Sequence, residues 1–327
     1  MTPFRIALRD WDWLTPLLLG ELGTEPLDEL GLELQVERVP ALPDLWSEPG
    51  LDAAEISLSR YCLAVADGRS EVVAVPHVLM QGFRHRCVIV AAGSEATSAA
   101  DLRGGRIGLT GWPDSGNTWT RAALADDGLG LDDARWFTGR LTADHPEQDR
   151  LGGHGVPGHI EALTGTPLVE RLSRGELDAV LTPFMPPGFH SPDAPWRPLY
   201  PDVRAAEAGW VRRHGFVPGH HLLGFRTGVA PEVAAAVSEV LLRSREAWRT
   251  KRAKYAETSA WLAVDLVDEA RLLPPGWDTP GLAEQGPMVA EFTAQQRHQR
   301  LHPSPPQLTD LFPLDLAAPL AAGRTYR

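Results

Sequence analysis

Short apolar runs alternate with longer segments of helical periodicity along most of this 327-residue chain. Such alternation is typical of α/β proteins, whose sheets are covered by helices. The pattern predicts strands at 4–8, 34–39, 54–58, 72–75, 87–92, 106–109, 179–181 and 221–226. It predicts helices at 12–22, 60–66, 99–102, 117–126, 167–174, 202–214, 231–258 and 281–299. We therefore expect an α/β fold.

The charge balance limits the partners of this chain. It carries 31 Lys and Arg against 43 Asp and Glu, a net charge of −12. A net acidic protein lacks the basic surface that nucleic-acid phosphates or anionic lipids require. The sequence also contains no apolar run of the length that spans a bilayer. We therefore expect neither nucleic acid nor a membrane among the partners.

The cysteines and the N-terminal residues bear on the cellular compartment. Cys62 and Cys87 each lie in a mostly apolar stretch, which favours buried free thiols. The opening MTPFRIALRDWDW has no basic region followed by a long apolar segment, as a secretory signal would. We expect a cytoplasmic protein.

Residues 101–124, DLRGGRIGLTGWPDSGNTWTRAAL, form the most informative segment. They are typical of a short helix, a glycine turn, a strand and a loop that leads into a second helix. The residues at the start of that second helix are Ser115, Gly116, Asn117 and Thr118. Free N–H groups and the helix dipole favour an anion there, so we expect a carboxylate or phosphate site. The alternative is a capped helix behind an ordinary loop. The glycines fit neither GxGxxG nor GxxxxGK[ST] spacing.

Two stretches, 138–166 and 182–198, lack periodicity and are predicted to be long surface loops, a class that is often functional. Histidines occur in three close pairs: His154 and His159, His220 and His221, and His298 and His302. None of the pairs supplies three ligands by spacing, and the last lacks the Glu of an HExxH motif. We therefore expect no metal.

Six segments follow one another over nearly the whole chain: DAAEISLSRY (52–61), GFRHRCVIV (82–90), DLRGGRIGL (101–109) with the downstream WTRAAL, RLSRGELDAVLTP (171–183), RRHGFVPGHHLLGFR (212–226) and TDLFPLD (309–315). Together they resemble the 4,5-dihydroxyphthalate decarboxylase family. The resemblance implies an α/β, two-lobed fold like that of type II periplasmic binding proteins, with two crossing strands and an interlobe cleft that binds the ligand. It implies crossings at 87–92 and 221–226, a lobe of 1–90 plus 222–327, and a second lobe of 91–221.

The implied reaction requires a general acid. Decarboxylation of a hydroxylated aromatic acid needs a proton on the ring carbon that bears the carboxylate, and histidine titrates near neutrality. The family's Phe-Arg-His and Pro-Ile-Met-His elements end here at His85 and His221, so we expect one of them to be the proton donor. Glu55 matches the family's Glu-x-Ser-x-Ser pattern and is expected to orient the histidine or to act as a base.

The resemblance also implies substrate-binding residues. Arg84 in the Phe-Arg-His element and Arg121 in a Trp-x-Arg element are expected to anchor carboxylates, because guanidinium binds them bidentately. Ser57 belongs to the Glu-x-Ser-x-Ser pattern, and Ser115 stands where the family has Thr. Both are expected to contact the substrate.

Two departures from the family alter the expected site. The family's opening loop reads Tyr-Asp-Arg-Thr, whereas this chain has Trp11, Asp12, Trp13 and Leu14. Trp11 and Asp12 are therefore expected to line the site, with an aromatic wall in place of a basic anchor. His220 follows Gly219 where the family has Ile-Met, which adds space and an imidazole for the substrate.

We therefore predict a cofactor-independent decarboxylase, a carbon–carbon lyase acting on an aromatic or cyclic, hydroxyphthalate-like acid. The alternatives are a solute-binding protein for a small carboxylate, a lyase or isomerase, and a regulatory or biosynthetic protein on the same scaffold. The expected partner is a small-molecule carboxylate, and homo-oligomerisation is left open.

Overall fold

The structure, a computed structural model, describes residues 1–314. Asp315 and the rest of the predicted first lobe, up to residue 327, lie outside the described residues. The chain divides into two compact units. Among the described residues, unit 1 comprises 1–81, 219–290 and 306–314, and unit 2 comprises 82–218 and 291–305.

A five-stranded sheet forms the centre of unit 1. Its strands are β1 (Thr2–Arg9), β2 (Leu32–Val39), β3 (Ala53–Ser57), β4 (Val72–Gln81) and β11 (Gly219–Arg226). Their order is β2-β1-β3-β11-β4. Strand β1 runs parallel to β2 and β3, and β11 runs antiparallel to β3 and β4. The C-terminal ends of β1, β3 and β4 and the start of β11 therefore share one edge of this sheet, here called the carboxyl edge of unit 1.

Unit 2 is built on a six-stranded sheet. Its strands are β5 (Val88–Ala91), β6 (Arg106–Leu109), β7 (Arg135–Thr138), β8 (Ile160–Ala162), β9 (Ala179–Leu181) and β10 (Trp196–Pro198), in the order β10-β5-β9-β6-β7-β8. Strands β6 to β9 run parallel, and β5 is antiparallel to β9. The loops after β6, β7 and β9 therefore leave the sheet at a common edge.

Helices surround these sheets, and several of them bury apolar residues against the strands. They are α1 (Thr15–Leu18), α2 (Glu25–Asp28), α3 (Leu58–Ala66), α4 (Ser115–Asp126), α5 (Leu168–Ser173), α6 (Val203–His214), α7 (Pro231–Tyr255), α8 (Leu262–Leu272), α9 (Leu282–His298) and α10 (Leu308–Leu311). Helix α7 begins at Pro231, whose fixed φ suits the first helical position. Its buried Val237 and Leu241 join Ile6 and Phe225 in the core of unit 1. In unit 2, Ile89, Leu168 and Val180 belong to a separate core.

The compact units divide the chain at a different place from the predicted first crossing at 87–92. Residues 88–91 pair with β9 and β10 inside unit 2, and the chain passes between the units at residues 81–82. Strand β4 continues beyond its predicted end through Pro76 and His77, where its register on β11 shifts. Residues 82–90 and 291–305 thus belong to unit 2 rather than to the first lobe, and the return passage lies at 218–219.

Cys62 and Cys87 are buried free thiols, as predicted. None of the helices within residues 1–314 combines the length and the apolar character needed to cross a membrane.

Candidate functional site

Glu55 on β3 is a fully buried carboxylate that receives three hydrogen bonds. Its Oε2 accepts the indole N–H of Trp11 at 2.8 Å and the main-chain N–H of Arg9 at 3.0 Å. Its Oε1 contacts Nδ1 of His221 in a short hydrogen bond. A buried carboxylate needs such partners, because its desolvation is otherwise very costly.

The sheet register explains why these residues meet. Ser57 on β3 lies opposite His221 on β11, and Glu55 lies opposite Leu223. Because strand side chains alternate between faces, Glu55 and His221 share one face as diagonal neighbours, which long side chains can bridge. Trp11 follows the end of β1 at the same carboxyl edge, so its indole reaches the same carboxylate.

The Glu55–His221 pair is arranged for proton transfer. With Nδ1 facing the carboxylate, Nε2 is the ring nitrogen left for a substrate. The carboxylate orients the imidazole. The side chain of His221 is 14% exposed, whereas that of Glu55 is completely covered. The pair therefore presents its imidazole and hides its carboxylate.

Arg9 is a residue of this site that the sequence analysis missed. It ends β1, and its guanidinium lies over the Trp11 ring, 4.8 Å from Cζ to the ring centroid. The available signal was its place at the end of a predicted parallel strand, where side chains of neighbouring strands converge.

In unit 2, Arg84 packs against the first turn of α4. A Cβ atom built on Gly116 would lie 2.5 Å from Nη2 of Arg84, so only glycine allows this approach. Nη1 of Arg84 donates to the carbonyl of Pro183 at 3.4 Å and to Sγ of Cys87 at 3.3 Å. The helix predicted at 117–126 is α4, which begins two residues earlier, at Ser115. The guanidinium of Arg84 lies beside the positive end of this helix. Both features favour an anion.

Two of the predicted contact residues on α4 face inward. Asn117 is buried, and its Nδ2 donates to the carbonyl of Gly111 at 2.8 Å and to Oγ1 of Thr110 at 3.2 Å. Thr118 is also buried, while its main-chain N–H donates to the carbonyl of Asp114. The Asn117 side chain fixes the loop between β6 and α4, and any anion contact here would involve backbone groups of the first turn.

Arg121 is 2% exposed inside unit 2. Its Nε donates to Oε1 of Gln299 and its Nη2 to the carbonyl of Trp112, both at 2.8 Å, and its Cζ lies 4.1 Å from the centroid of the Trp112 ring. Within residues 1–314, Nη1 has no hydrogen-bond partner. Burial lowers the pKa of this guanidinium to about 9, although nearby Asp114 opposes the shift.

His85 lies in an aromatic environment within unit 2. Its ring meets Tyr200 edge-on with centroids 5.3 Å apart, and Nε2 is 3.8 Å from Oδ2 of Asp127. Neither ring nitrogen has a hydrogen-bond partner in the described part of the chain. Burial lowers the pKa of His85, and the charge of Asp127 only partly offsets this effect.

The remaining predicted residues have local partners. Oγ of Ser57 accepts the N–H of Arg60 and so caps α3. His220 is fully buried, and strand alternation places it on the opposite face of β11 from His221. Asp12 is exposed and accepts the N–H of Trp13 at 3.0 Å. Within residues 1–314, no three His, Cys, Asp or Glu side chains group as a metal site would require.

Solved structures share this fold. The periplasmic aliphatic sulphonate binding protein SsuA from Escherichia coli has a TM-score of 0.57 and 16% identity, covering 95% of this chain and 92% of its own. The periplasmic sulfonate-binding protein SsuA from Methylobacillus flagellatus KT has a TM-score of 0.51 and 13% identity, covering 95% and 91%. These similarities show a fold of the type II periplasmic-binding-protein class.

No family model matches the chain. Two relatives named 4,5-dihydroxyphthalate decarboxylase do match it. The protein from Comamonas testosteroni is 27% identical over 323 residues, covering 94% of this chain and 95% of the relative. The protein from Pseudomonas putida is 30% identical over 213 residues, covering 63% of this chain and 80% of the relative. By this identity and coverage, the chain belongs to the 4,5-dihydroxyphthalate decarboxylase family.

Proposed function

We propose that the protein is a cofactor-independent carbon–carbon lyase that decarboxylates an aromatic or cyclic acid of the hydroxyphthalate type. The observation that carries this proposal is the Glu55–His221 pair, a buried carboxylate bonded to a partly exposed imidazole. The names of the two relatives support the same reaction.

The chemistry needs one proton at one carbon. In 4,5-dihydroxyphthalate, each carbon that bears a carboxylate has a hydroxyl para to it. Transfer of a proton from Nε2 of His221 to that carbon uses an electron pair of the ring, and the positive charge is delocalised onto the para hydroxyl. The bond from ring to carboxylate then breaks, its electron pair restores the aromatic ring, and carbon dioxide leaves. Solvent returns the proton to the imidazole.

Glu55 acts through His221 in this scheme. Its carboxylate stabilises the imidazolium that must exist before the proton is delivered, and its bonds to Trp11 and to the Arg9 main chain keep it from rotating away. His221 rather than His85 is the proposed donor, because burial among aromatic rings disfavours the charged form of His85.

Unit 2, taken by itself, also offers a place for an organic anion. Arg84 beside the start of α4 provides a guanidinium and a helix terminus that would bind a carboxylate. The small-molecule partner is therefore an organic acid. The cytoplasmic location and the state of oligomerisation stay predictions.

Turnover of 4,5-dihydroxyphthalate tests the function directly. We expect release of carbon dioxide and a dihydroxybenzoate, with one deuterium on the product ring when the reaction runs in D₂O. Phthalate, which lacks the hydroxyls, should bind without reacting. Thermal stabilisation by both acids with no turnover of either would instead identify a solute-binding protein, the second function that this fold supports.

A further inference from the structure

The guanidinium of Arg9 is a positive charge that lies close to the Glu55–His221 pair. Its guanidinium rests on the face of Trp11, and the edge of the same indole donates to Glu55. One aromatic ring therefore links the guanidinium to the carboxylate that orients His221. The contact with Trp11 also restricts the side chain, so that less conformational entropy is lost when it binds a ligand.

Within the described residues, this guanidinium has no ion-pair partner. Among residues 1–314, no carboxylate forms an ion pair with Arg9, although acidic side chains lie near it in the sheet. The adjacent Asp10 binds Arg38, and Glu37 on β2 binds Arg5. Glu55 receives the main-chain N–H of Arg9 and not its guanidinium. The guanidinium is thus partly buried, is held against Trp11 and has no compensating carboxylate among residues 1–314.

We propose that Arg9 binds the carboxylate that the substrate retains. This inference rests on the proposed decarboxylase function. In a phthalate the two carboxylates occupy neighbouring ring carbons, so the group that holds the retained one must lie beside the proton donor. Arg9 and His221 lie at the same carboxyl edge of unit 1 and share Glu55 as a partner. The planar guanidinium matches a carboxylate bidentately.

The retained carboxylate gives this residue a role in specificity. An acid with a single carboxylate would gain nothing from a second anchor, whereas a 1,2-dicarboxylate would use it fully. Arg9 therefore selects vicinal diacids over monoacids. A guanidinium that only covers Trp11 would contribute to stability and would leave this preference unchanged.

The test measures binding by calorimetry with two unreactive probes, phthalate and benzoate. The variants are Arg9→Gln, Arg9→Lys and, as a matched control on the same strand, Arg5→Gln. We expect Arg9→Gln to raise the Kd of phthalate by about 10- to 100-fold, so that its advantage over benzoate nearly disappears. Arg9→Lys should lose less of its affinity for phthalate, because lysine keeps the positive charge although it lacks the planar, bidentate guanidinium. Arg5→Gln should match the wild type.

Because both probes are unreactive, this result does not depend on turnover. If the preference for phthalate vanishes in Arg9→Gln but 4,5-dihydroxyphthalate is not decarboxylated, the anchor stands and the proposed function fails. If Arg9→Gln keeps the full preference for phthalate, or if the wild type shows none, the assignment of Arg9 is overturned.

Discussion

At the residue scale, the proposed chemistry depends on the buried carboxylate of Glu55 and the partly exposed imidazole of His221. We expect Glu55→Gln to lower kcat by about 10²- to 10⁴-fold, because the amide cannot stabilise the imidazolium of His221. KM should change little, since Glu55 acts through the histidine. Steady-state kinetics with 4,5-dihydroxyphthalate measure both constants.

The matched control for this change is Glu37→Gln on β2. This carboxylate is exposed and pairs only with Arg5 in the described structure, so its removal should leave both constants as they are. A Glu55→Gln protein that turns over within about twofold of the wild type would contradict the role of the pair.

Gly116 offers a second test, because its missing side chain makes room for Arg84. We expect Gly116→Ala to displace the guanidinium, since the new Cβ would lie 2.5 Å from Nη2 and the flexible side chain can move. Binding of phthalate should weaken by about tenfold, while stability holds or rises by up to ~1 kcal/mol, since Ala is the better helix former. Calorimetry and urea denaturation measure the two effects.

Gly286→Ala in α9 is the control for that substitution. Its Cβ would only make an ordinary contact of 3.5 Å with Leu308, so affinity should be unchanged. Equal affinity of Gly116→Ala and the wild type for phthalate would show that Arg84 is not an anchor.

The sequence identified candidate site residues more successfully than it predicted the direction in which their side chains point. Glu55 and His221 were both predicted, and the structure brings them together through the register of β3 and β11. Position in a motif does not tell whether a side chain faces a core, and so the sequence could not show that His85 and Arg121 are buried within unit 2. Arg9 was missed because its significance depends on the ring of Trp11.

At the scale of elements, Arg121 connects α4 by hydrogen bonds to the loop that precedes it and to Gln299. Its guanidinium joins the carbonyl of Trp112, in the loop before the helix, to Gln299, which also donates to the carbonyl of Thr118. We expect Arg121→Met to lower the free energy of unfolding by about 2 kcal/mol, because two buried acceptors lose their donors. Urea denaturation measures this loss.

The control is Arg103→Met, which removes an exposed arginine that also donates to a carbonyl, that of Gly128. It should cost less than about 1 kcal/mol, because water replaces the lost donor. If Arg121→Met instead kept its stability and lost more than about tenfold in phthalate affinity, the anchoring role implied by the family resemblance would be supported.

Elements were predictable where periodicity or flanking glycines marked them. The strands at 106–109 and 179–181 have the predicted bounds. Strands β7, β8 and β10 were not predicted, because each has only three or four residues, too few for alternation to show. The predicted helix at 12–22 is a 3₁₀ turn followed by the short α1, since Pro16 begins a new helix.

Pro76 explains why the strand that begins at Val72 was predicted to end too early. A proline in a strand removes a hydrogen-bond donor, so the apolar run from Val72 was expected to end before it. The structure carries β4 past this point to Gln81 by leaving Pro76 and His77 out of the ladder on β11. The passage between the units therefore comes earlier in the chain than predicted, and β5 belongs wholly to unit 2.

At the scale of the whole molecule, each unit encloses a histidine whose pKa is lowered by burial. In unit 1, His77 is fully buried, with Nδ1 2.8 Å from Oγ of Ser238, and burial together with the charge of Arg245 holds its pKa well below the ordinary value of 6.5. In unit 2, burial lowers the pKa of His85. Protonation of either ring would place a charge in a site that cannot solvate it.

These shifts fix the sign of the pH dependence. Below pH 6.5 the unfolded chain binds protons at both histidines, whereas the folded chain does not until the pH reaches their lowered values. Stability is therefore complete above 6.5 and is lost as the pH falls through that window, by up to ~1.4 kcal/mol per pH unit for each histidine.

We accordingly expect the Tm to fall between about pH 7 and about pH 5 and the double variant His77→Gln, His85→Gln to show a shallower fall. If Gln packs less well than His, the Tm of the double variant also drops at neutral pH. That drop is the same at every pH, so the slope of Tm against pH still measures the titration of the two histidines. His190→Gln, which removes an exposed imidazole, is the control and should keep the wild-type slope. Thermal unfolding across the pH series measures the Tm of the wild type, the double variant and the control. A double variant as acid-sensitive as the wild type would show that carboxylates, not these histidines, govern the loss of stability at low pH.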